Sequence, residues 1–370
     1  MAQPMRAAQP PVAARGYSLP MHAIVPPYLL ARLAATQEPH FARAAEAARA
    51  TLAVTREYRP MRGRLDLSVD GDAFVMEVSP APDRVISDAQ NRTTLPGVRV
   101  RGEDDPATGD RAADEAFDGL GATFEMYWDA FRRASIDGAG GTLAATVHYG
   151  VDYDNAFWNG ERMVFGDGDG EVFAGFTRSV TVIAHELSHG VIENAGGLDY
   201  TGQSGALNES IADVFGALTE QHLSGQTADE ASWLIGAGIF TDAVQGTALR
   251  SMSAPGTAYD DDVLGRDPQP GHMADYVETT SDNGGVHINS GIPNRAFHLA
   301  AMALGGHAWE RAGRIWYLTL TGGRLTTRTD FPAFAAATLA TAVEEYGEDS
   351  EEAAAVRDAW TGVGVIEDVR

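Results

Sequence analysis

Cysteine and lysine are both missing from this 370-residue chain; all 27 basic residues are arginine. Without cysteine there are no disulfides and no thiol nucleophile, and the redox compartment stays open. The missing lysine suits a high-GC coding bias as readily as any physical demand. No run of about eighteen apolar residues exists to span a membrane, and no basic-then-apolar leader of the Sec type stands at the front. The expectation is therefore export by a non-classical route or residence in the cytoplasm. Positive charge is scarce beside 52 acidic residues, giving a net charge of −25. That balance argues against nucleic acid or an anionic membrane as partner. No internal repeat is evident. The length suffices for a catalytic unit of roughly 300 residues with a large core, plus an extension.

What the chain does contain is His185-Glu186-Leu187-Ser188-His189. Helical positions four apart share a face, so both imidazoles can close on one Zn²⁺. Glu186 projects to the side, where it can take a proton from water without ligating the metal. Val180, Ile183, Ala184, Leu187 and Val191 form an apolar stripe, with Val182 and Ile192 on the histidine side. A helix apolar nearly all round is buried, and Ala195-Gly196-Gly197 stops it. A pair of core histidines satisfied by backbone carbonyls is the plainer alternative.

A hydrolytic zinc site wants three protein ligands and one open position. Downstream, Asn208-Glu209-Ser210-Ile211-Ala212-Asp213 lies on a second apolar-periodic helix. Glu209 can supply the third ligand, and Asp213, on the same face, can accept the free N–H of a ligating histidine. The pair His185-Glu186-x-x-His189 and Asn208-Glu209-x-x-x-Asp213 resembles the thermolysin family of zinc endopeptidases, from about residue 85 to the C-terminus.

The resemblance implies further roles. Asn155-Ala156-Phe157-Trp158-Asn159-Gly160 looks like the family's edge strand, which holds the substrate backbone antiparallel. Leu249-Arg250-Ser251 looks like the segment whose arginine binds the carbonyl beyond the scissile bond. Asp282-Asn283-Gly284-Gly285-Val286-His287 looks like the loop bearing the second catalytic histidine, and Tyr200 matches the catalytic tyrosine. His287 and Tyr200 would then donate to the developing oxyanion, while Asp282 keeps the imidazole protonated. The pocket for the side chain after the scissile bond would be lined by Phe173, Phe176, Val182, Ile235, Ile239 and Leu249, so cleavage before Leu, Phe, Ile or Val is expected.

One departure concerns calcium. At the family's double calcium site only Glu220 remains; Thr181, Ser232, Leu234 and Ala237 stand where the other carboxylates would be. A hard divalent cation wants roughly six to eight oxygens, so calcium is not expected there. Asp167-Gly168-Asp169-Gly170 reads equally as a loop of oxygen ligands or as ordinary turns.

Residues 1 to about 60 read differently. A tail rich in Ala, Gln and Pro leads to His22-Ala23-Ile24-Val25-Pro26-Pro27-Tyr28, then to an alanine-rich helical stretch broken at Gln37-Glu38-Pro39-His40. This resembles the short propeptide of protealysin-like members, with its Pro-Pro-Tyr motif. The implied partner is the chain's own propeptide acting in cis, removed near the basic stretch Arg56, Arg59, Arg62 and Arg64. A helical extension merely packed on the surface is the alternative. The organisation expected is α+β: a propeptide-like segment (1–60), a β-rich lobe ending in the histidine helix (61–197) and an α-helical lobe (198–370), with zinc in the cleft between the lobes. Strands are expected at Leu65–Val69, Val98–Arg101, Ala145–Tyr149 and Met163–Phe165. Helices are expected at Leu207–His222, Gly291–Leu304, Trp309–Leu320, Phe331–Tyr346 and Ser350–Trp360. The acidic stretch from Glu344 to Glu352 reads as a solvated face. The activity expected is zinc-dependent endoproteolysis of proteins and peptides. A silent zinc-binding relative would not require Glu186, and an aminopeptidase would want acids gathered to hold a free amine.

Overall fold

A computed structural model describes residues 22–54 and 81–367. The strand expected at Leu65–Val69 and the basic stretch from Arg56 to Arg64 lie outside the described residues. Within them the chain begins with a two-residue strand, β1 (His22–Ala23), then helices α1 (Pro27–Ala35) and α2 (Ala42–Val54), with a single 3-10 turn at Pro39–Phe41 between them. Pro27 opens α1 at its first turn, where its missing N–H costs nothing.

The first lobe is built on β2 (Arg84–Asp88), β3 (Val98–Gly102), β4 (Leu143–Val147), β5 (Ala156–Trp158) and β6 (Met163–Phe165). Together with β1 they make a six-stranded mixed sheet in the order β1-β5-β6-β4-β2-β3. β2 and β4, and β4 and β6, run parallel, whereas β5 is antiparallel to β6. β1 adds to the free side of β5 in antiparallel register, His22 opposite Trp158 and Ala23 opposite Phe157.

Helix α3 (Arg111–Phe131) also belongs to this lobe, where the sequence names strands and no helix before the histidine helix. Asp110 caps it by accepting from the Ala113 N–H at 2.9 Å. Its glycines obscure the helical pattern, yet Gly119 has a packing purpose. A Cβ at that position would lie 2.4 Å from Ile183 Cδ1 on the histidine helix.

That helix, α4 (Val180–Asn194), crosses α5 (Gly202–Ser224), and this pair is the centre of the molecule. Residues Thr181 to Ile192 are all buried, as the all-round apolar pattern requires. The two helices approach closely because Gly216 has no side chain: a Cβ there would sit 2.8 Å from the Thr181 carbonyl oxygen. A short antiparallel pair, β7 (Leu234–Ile235) and β8 (Arg250–Ser251), follows. The second lobe is completed by α6 (Asp282–Asn289), α7 (Gly291–Leu304), α8 (Ala312–Thr321), α9 (Phe331–Tyr346) and α10 (Glu351–Gly362).

The acids from Glu344 to Glu351 are exposed, as expected of a solvated face, and several of them also form ion pairs. Glu345 pairs with Arg314 at 2.8 Å, Glu344 with Arg324, and Glu351 and Glu352 with Arg311. Glu352 is buried. Arginines on and beside α8 convert the acidic face into a lacing between α8, α9 and α10.

Candidate active site

Helix α4 carries His185 and His189 one turn apart, and α5 brings Glu209 up to them. The His185 and His189 Nε2 atoms are 3.0 Å apart. Glu209 Oε2 lies 3.5 Å from the His185 nitrogen, and Oε1 lies 3.6 Å from that of His189. All three side chains are fully buried. The Nδ1 of His185 donates to Asp213 Oδ1 at 2.8 Å and that of His189 to Asn208 Oδ1 at 2.8 Å. Each ring therefore turns an unprotonated Nε2 inward, the tautomer a metal ligand needs. Glu209 Oε2 has no hydrogen-bond partner among the described residues. Two inward lone pairs and a buried, unpartnered carboxylate oxygen fit zinc, whose tetrahedral donors stand about 3.3 Å apart. A looser second grouping, in which a His22 nitrogen replaces that of His185, spans up to 4.8 Å.

Asp213 is the most heavily bonded acid in the site. Besides His185, it accepts from Arg250 Nε and Nη2, each at 2.8 Å, and from Asn294 Nδ2 at 2.8 Å. Burial alone would raise its pKa, but the Arg250 guanidinium and His185 hold it well below the usual carboxylate range. Glu186 has the opposite setting. Neither of its oxygens has a hydrogen-bond partner among the described residues. Burial and the neighbouring Glu209 push it well above the ordinary range, and the nearby N–H groups of Trp158 and Ile24 offset part of this.

His287 is presented by a turn in which Asn283, Gly284 and Gly285 take left-handed φ values of 50°, 90° and 76°. Such a run favours glycine. Its Nδ1 donates to Asp282 Oδ1 at 2.6 Å, and its backbone N–H donates to Oδ2 at 2.9 Å. Burial would depress the imidazole, but Asp282 and Glu209 overcome it and push it up to about 9. The Tyr200 hydroxyl donates to Glu209 Oε1 and lies 3.3 Å from His287 Nε2.

The leading segment runs through this site. Ile24 N–H donates to the Ala156 carbonyl at 3.1 Å. Asn155 brackets Val25, accepting its N–H at 2.9 Å and donating to its carbonyl at 3.2 Å. Arg250 Nη1 donates to the Ile24 carbonyl at 3.1 Å, and His287 Nε2 to the Ala23 carbonyl at 2.9 Å. Asn155, Ala156, Arg250 and His287, named from separate parts of the sequence, thus converge on three consecutive residues, Ala23 to Val25.

Phe173, Phe176, Val182, Ile235, Ile239 and Leu249 are all buried in the core. Phe173 packs 5.4 Å from both Phe176 and Phe240, and Leu249 N–H bonds the Ile235 carbonyl at 2.9 Å. Glu220 accepts from Ser232 Oγ at 2.8 Å, and burial raises its pKa. Asp169 closes a turn by accepting from Val172 N–H at 2.7 Å, while Asp167 pairs with His148 at 2.9 Å.

Four side chains at the site escaped the sequence reading. Asn208, beside Glu209 in the same motif, orients His189, and Asn294 completes the shell of Asp213. Glu193, four residues after His189, accepts from Trp158 Nε1 at 3.0 Å. His22 stacks on His189 with ring centroids 4.3 Å apart. No periodicity or spacing marks it.

A sheet-based lobe and a helical lobe, with paired histidines and a glutamate between them, define a metallopeptidase. The catalytic-domain description of the thermolysin metallopeptidases matches residues 55–193, and that of their alpha-helical domain matches residues 196–365. The chain belongs to the thermolysin metallopeptidase family. It is 49% identical over 353 residues to an extracellular metalloprotease of Pectobacterium carotovorum subsp. carotovorum, covering 94% of this chain and 97% of that one. It is 53% identical over 290 residues to Protease PrtS of a Photorhabdus species, covering 78% of each. Among solved structures, the precursor of protealysin, a metalloproteinase from Serratia proteamaculans, superposes with a TM-score of 0.83 at 48% identity, covering 93% of this chain and 99% of that one.

Proposed function

We propose that the protein is a zinc-dependent neutral endopeptidase, made as a self-inhibited precursor, that cleaves on the N-terminal side of large hydrophobic residues. One observation carries this reading: His22 and Ala23 pair antiparallel with β5, and Asn155, Ala156, Arg250 and His287 make to the backbone of residues 23–25 the contacts expected of them toward a substrate. Ala23 then mimics the residue before the scissile bond and Ile24 the one after it. An isoleucine there agrees with the apolar lining of Phe173, Val182, Ile235 and Leu249.

His185, His189 and Glu209 would hold zinc, which when bound polarises the substrate carbonyl and acidifies water. Asp213 and Asn208 fix the two rings. Glu186, dry and raised in pKa, takes the proton of the attacking water and returns it to the leaving amine. His287, cationic beside Asp282, donates from Nε2 to the carbonyl oxygen as negative charge builds there, with Tyr200 alongside. Arg250 grips the next carbonyl, and Asn155 with Ala156 keeps the chain extended across the cleft. Residues 1 to about 60 form the inhibitory segment, ahead of catalytic lobes at 61–197 and 198–370. The destination is outside the cell, as the name of the Pectobacterium relative states for that protein.

Glu220, paired with a neutral hydroxyl, would be left as a lone acid at the family's calcium position, so no calcium binds there. A large calcium-dependent rise in thermal midpoint of zinc-loaded protein would overturn this point. The main test is zinc analysis beside cleavage of a quenched peptide with internal Leu or Phe. Stoichiometric zinc and internal cleavage stopped by phenanthroline support the proposal; trimming from one end, or zinc without turnover, defeats it.

A further inference from the structure

We propose that His22 is a fourth ligand for the metal in the uncleaved chain, so that the leading segment closes the coordination position as well as filling the groove. This rests on the zinc-peptidase reading above and adds to it how the precursor is silenced.

The argument starts from the bonding of residues 22–25. The carbonyls of Ala23, Ile24 and Val25 and the N–H groups of Ile24 and Val25 all have partners on the catalytic lobes. His22 Nδ1 has none among the described residues, although its side chain is only 4% exposed. A buried polar atom left unpaired costs about 1–3 kcal/mol. Its other nitrogen is not idle: Nε2 faces Glu193 Oε1 at 3.5 Å, and Glu193 is held by Trp158 Nε1 at 3.0 Å. A carboxylate at Nε2 places the proton there and leaves the lone pair on Nδ1. Asp213 does the same for His185, with the two nitrogens exchanged.

Position agrees with protonation. A His22 ring nitrogen, a His189 ring nitrogen and a Glu209 oxygen all lie within 4.8 Å of one another. Bringing this triangle to zinc's spacing of about 3.3 Å shortens any one edge by about 1.5 Å or less. The ring is confined to the site from both sides, stacked on His189 and edge-on to Tyr200 at 4.6 Å. Its backbone is fixed by pairing with Trp158. A site with three ligands needs its fourth position for chemistry, and His22 stands where that position can be taken.

The test uses the full-length chain carrying Glu186→Gln, which prevents self-cutting, loaded with zinc. X-ray absorption at the zinc edge should count three imidazoles. Adding His22→Phe, which keeps the stack on His189 but offers no nitrogen, should lower the count to two and speed zinc release to a chelator at least about tenfold. His22→Ala repeats the measurement without the ring, should phenylalanine disturb the fold. An imidazole count of two with or without His22, and unchanged release, overturns the inference and leaves the segment a steric plug. Failure of Glu186→Gln itself to retain zinc overturns the peptidase reading as well.

Discussion

The crossed helices α4 and α5 and the segment from His22 to Val54 meet in one cleft, but they are built on opposite terms. In the helix pair the two ligating histidines are oriented by Asp213 and Asn208 of the same pair. Asp213 alone gathers four donors from His185, Arg250 and Asn294. The leading segment is instead held by Asn155, Ala156, Arg250 and His287, the groups that on the proposed reading hold substrate. Further anchors run from its helices: Arg43 pairs with Asp152 at 2.6 Å, Arg32 Nε donates to the Val263 carbonyl at 2.9 Å, and Thr51 Oγ1 accepts from the buried Asp154 N–H at 3.0 Å. On the proposed reading, one unit persists and the other leaves.

The largest effect expected is on Glu186, which lies on α4 and whose side-chain oxygens have no hydrogen-bond partner among the described residues. Glu186→Gln should cut kcat/KM about a thousandfold or more while zinc stays stoichiometric. Asp213→Ala tests the opposite kind of acid. It strands the buried Arg250 guanidinium, and denaturant titration should show a loss of about 3–5 kcal/mol in unfolding free energy.

Asn155 sharpens the contrast, since it holds the segment and, on the proposed reading, the substrate as well. Asn155→Ala removes two hydrogen bonds worth about 1–2 kcal/mol together. A peptide of residues 1–60 added in trans should inhibit about tenfold less well, and KM should rise in parallel. A KM that stays fixed while inhibition weakens would show that segment and substrate do not share this grip.

His148 lies in neither unit and gives the smallest effect. The hydrogen bond and charge of Asp167, with help from Asp110, push it to about 9 against the opposing cost of burial. A folded-state value above the unfolded 6.5 stabilises the fold fully at lower pH and loses that contribution as pH rises through about 9. With both acids partly exposed, the gain is about 1 kcal/mol or less. The thermal midpoint of His148→Gln should fall below wild type at about pH 6 and rejoin it by about pH 10.

The same contrast governs what was legible in the sequence. Helix α4 was readable because ligand spacing and apolar periodicity coincide over fifteen residues. Glu209 and Asp213 followed from one helical turn, and α9 was bounded without error because Asp330 and Gly347 mark its ends. Helix α3 was missed because Gly119 and Gly121 look like breaks, whereas Gly119 is the contact surface for Ile183. His22 was missed for a different reason. A two-residue strand has no pattern of its own, and its partner Trp158 is 136 positions away. Local chemistry can be read from neighbours in the chain; a loan between distant segments cannot.

The sixth strand has a last consequence. While β1 remains covalently joined, it competes for β5 at an effective concentration of about millimolar, whatever the amount of protein present. Severing the chain turns that contact into an ordinary bimolecular one, weakened by every dilution. Freshly cut molecules in a crowded compartment would stay largely muzzled by their own fragments, and those that diffuse away would awaken. Escape into a large volume can thus complete what a single cut begins.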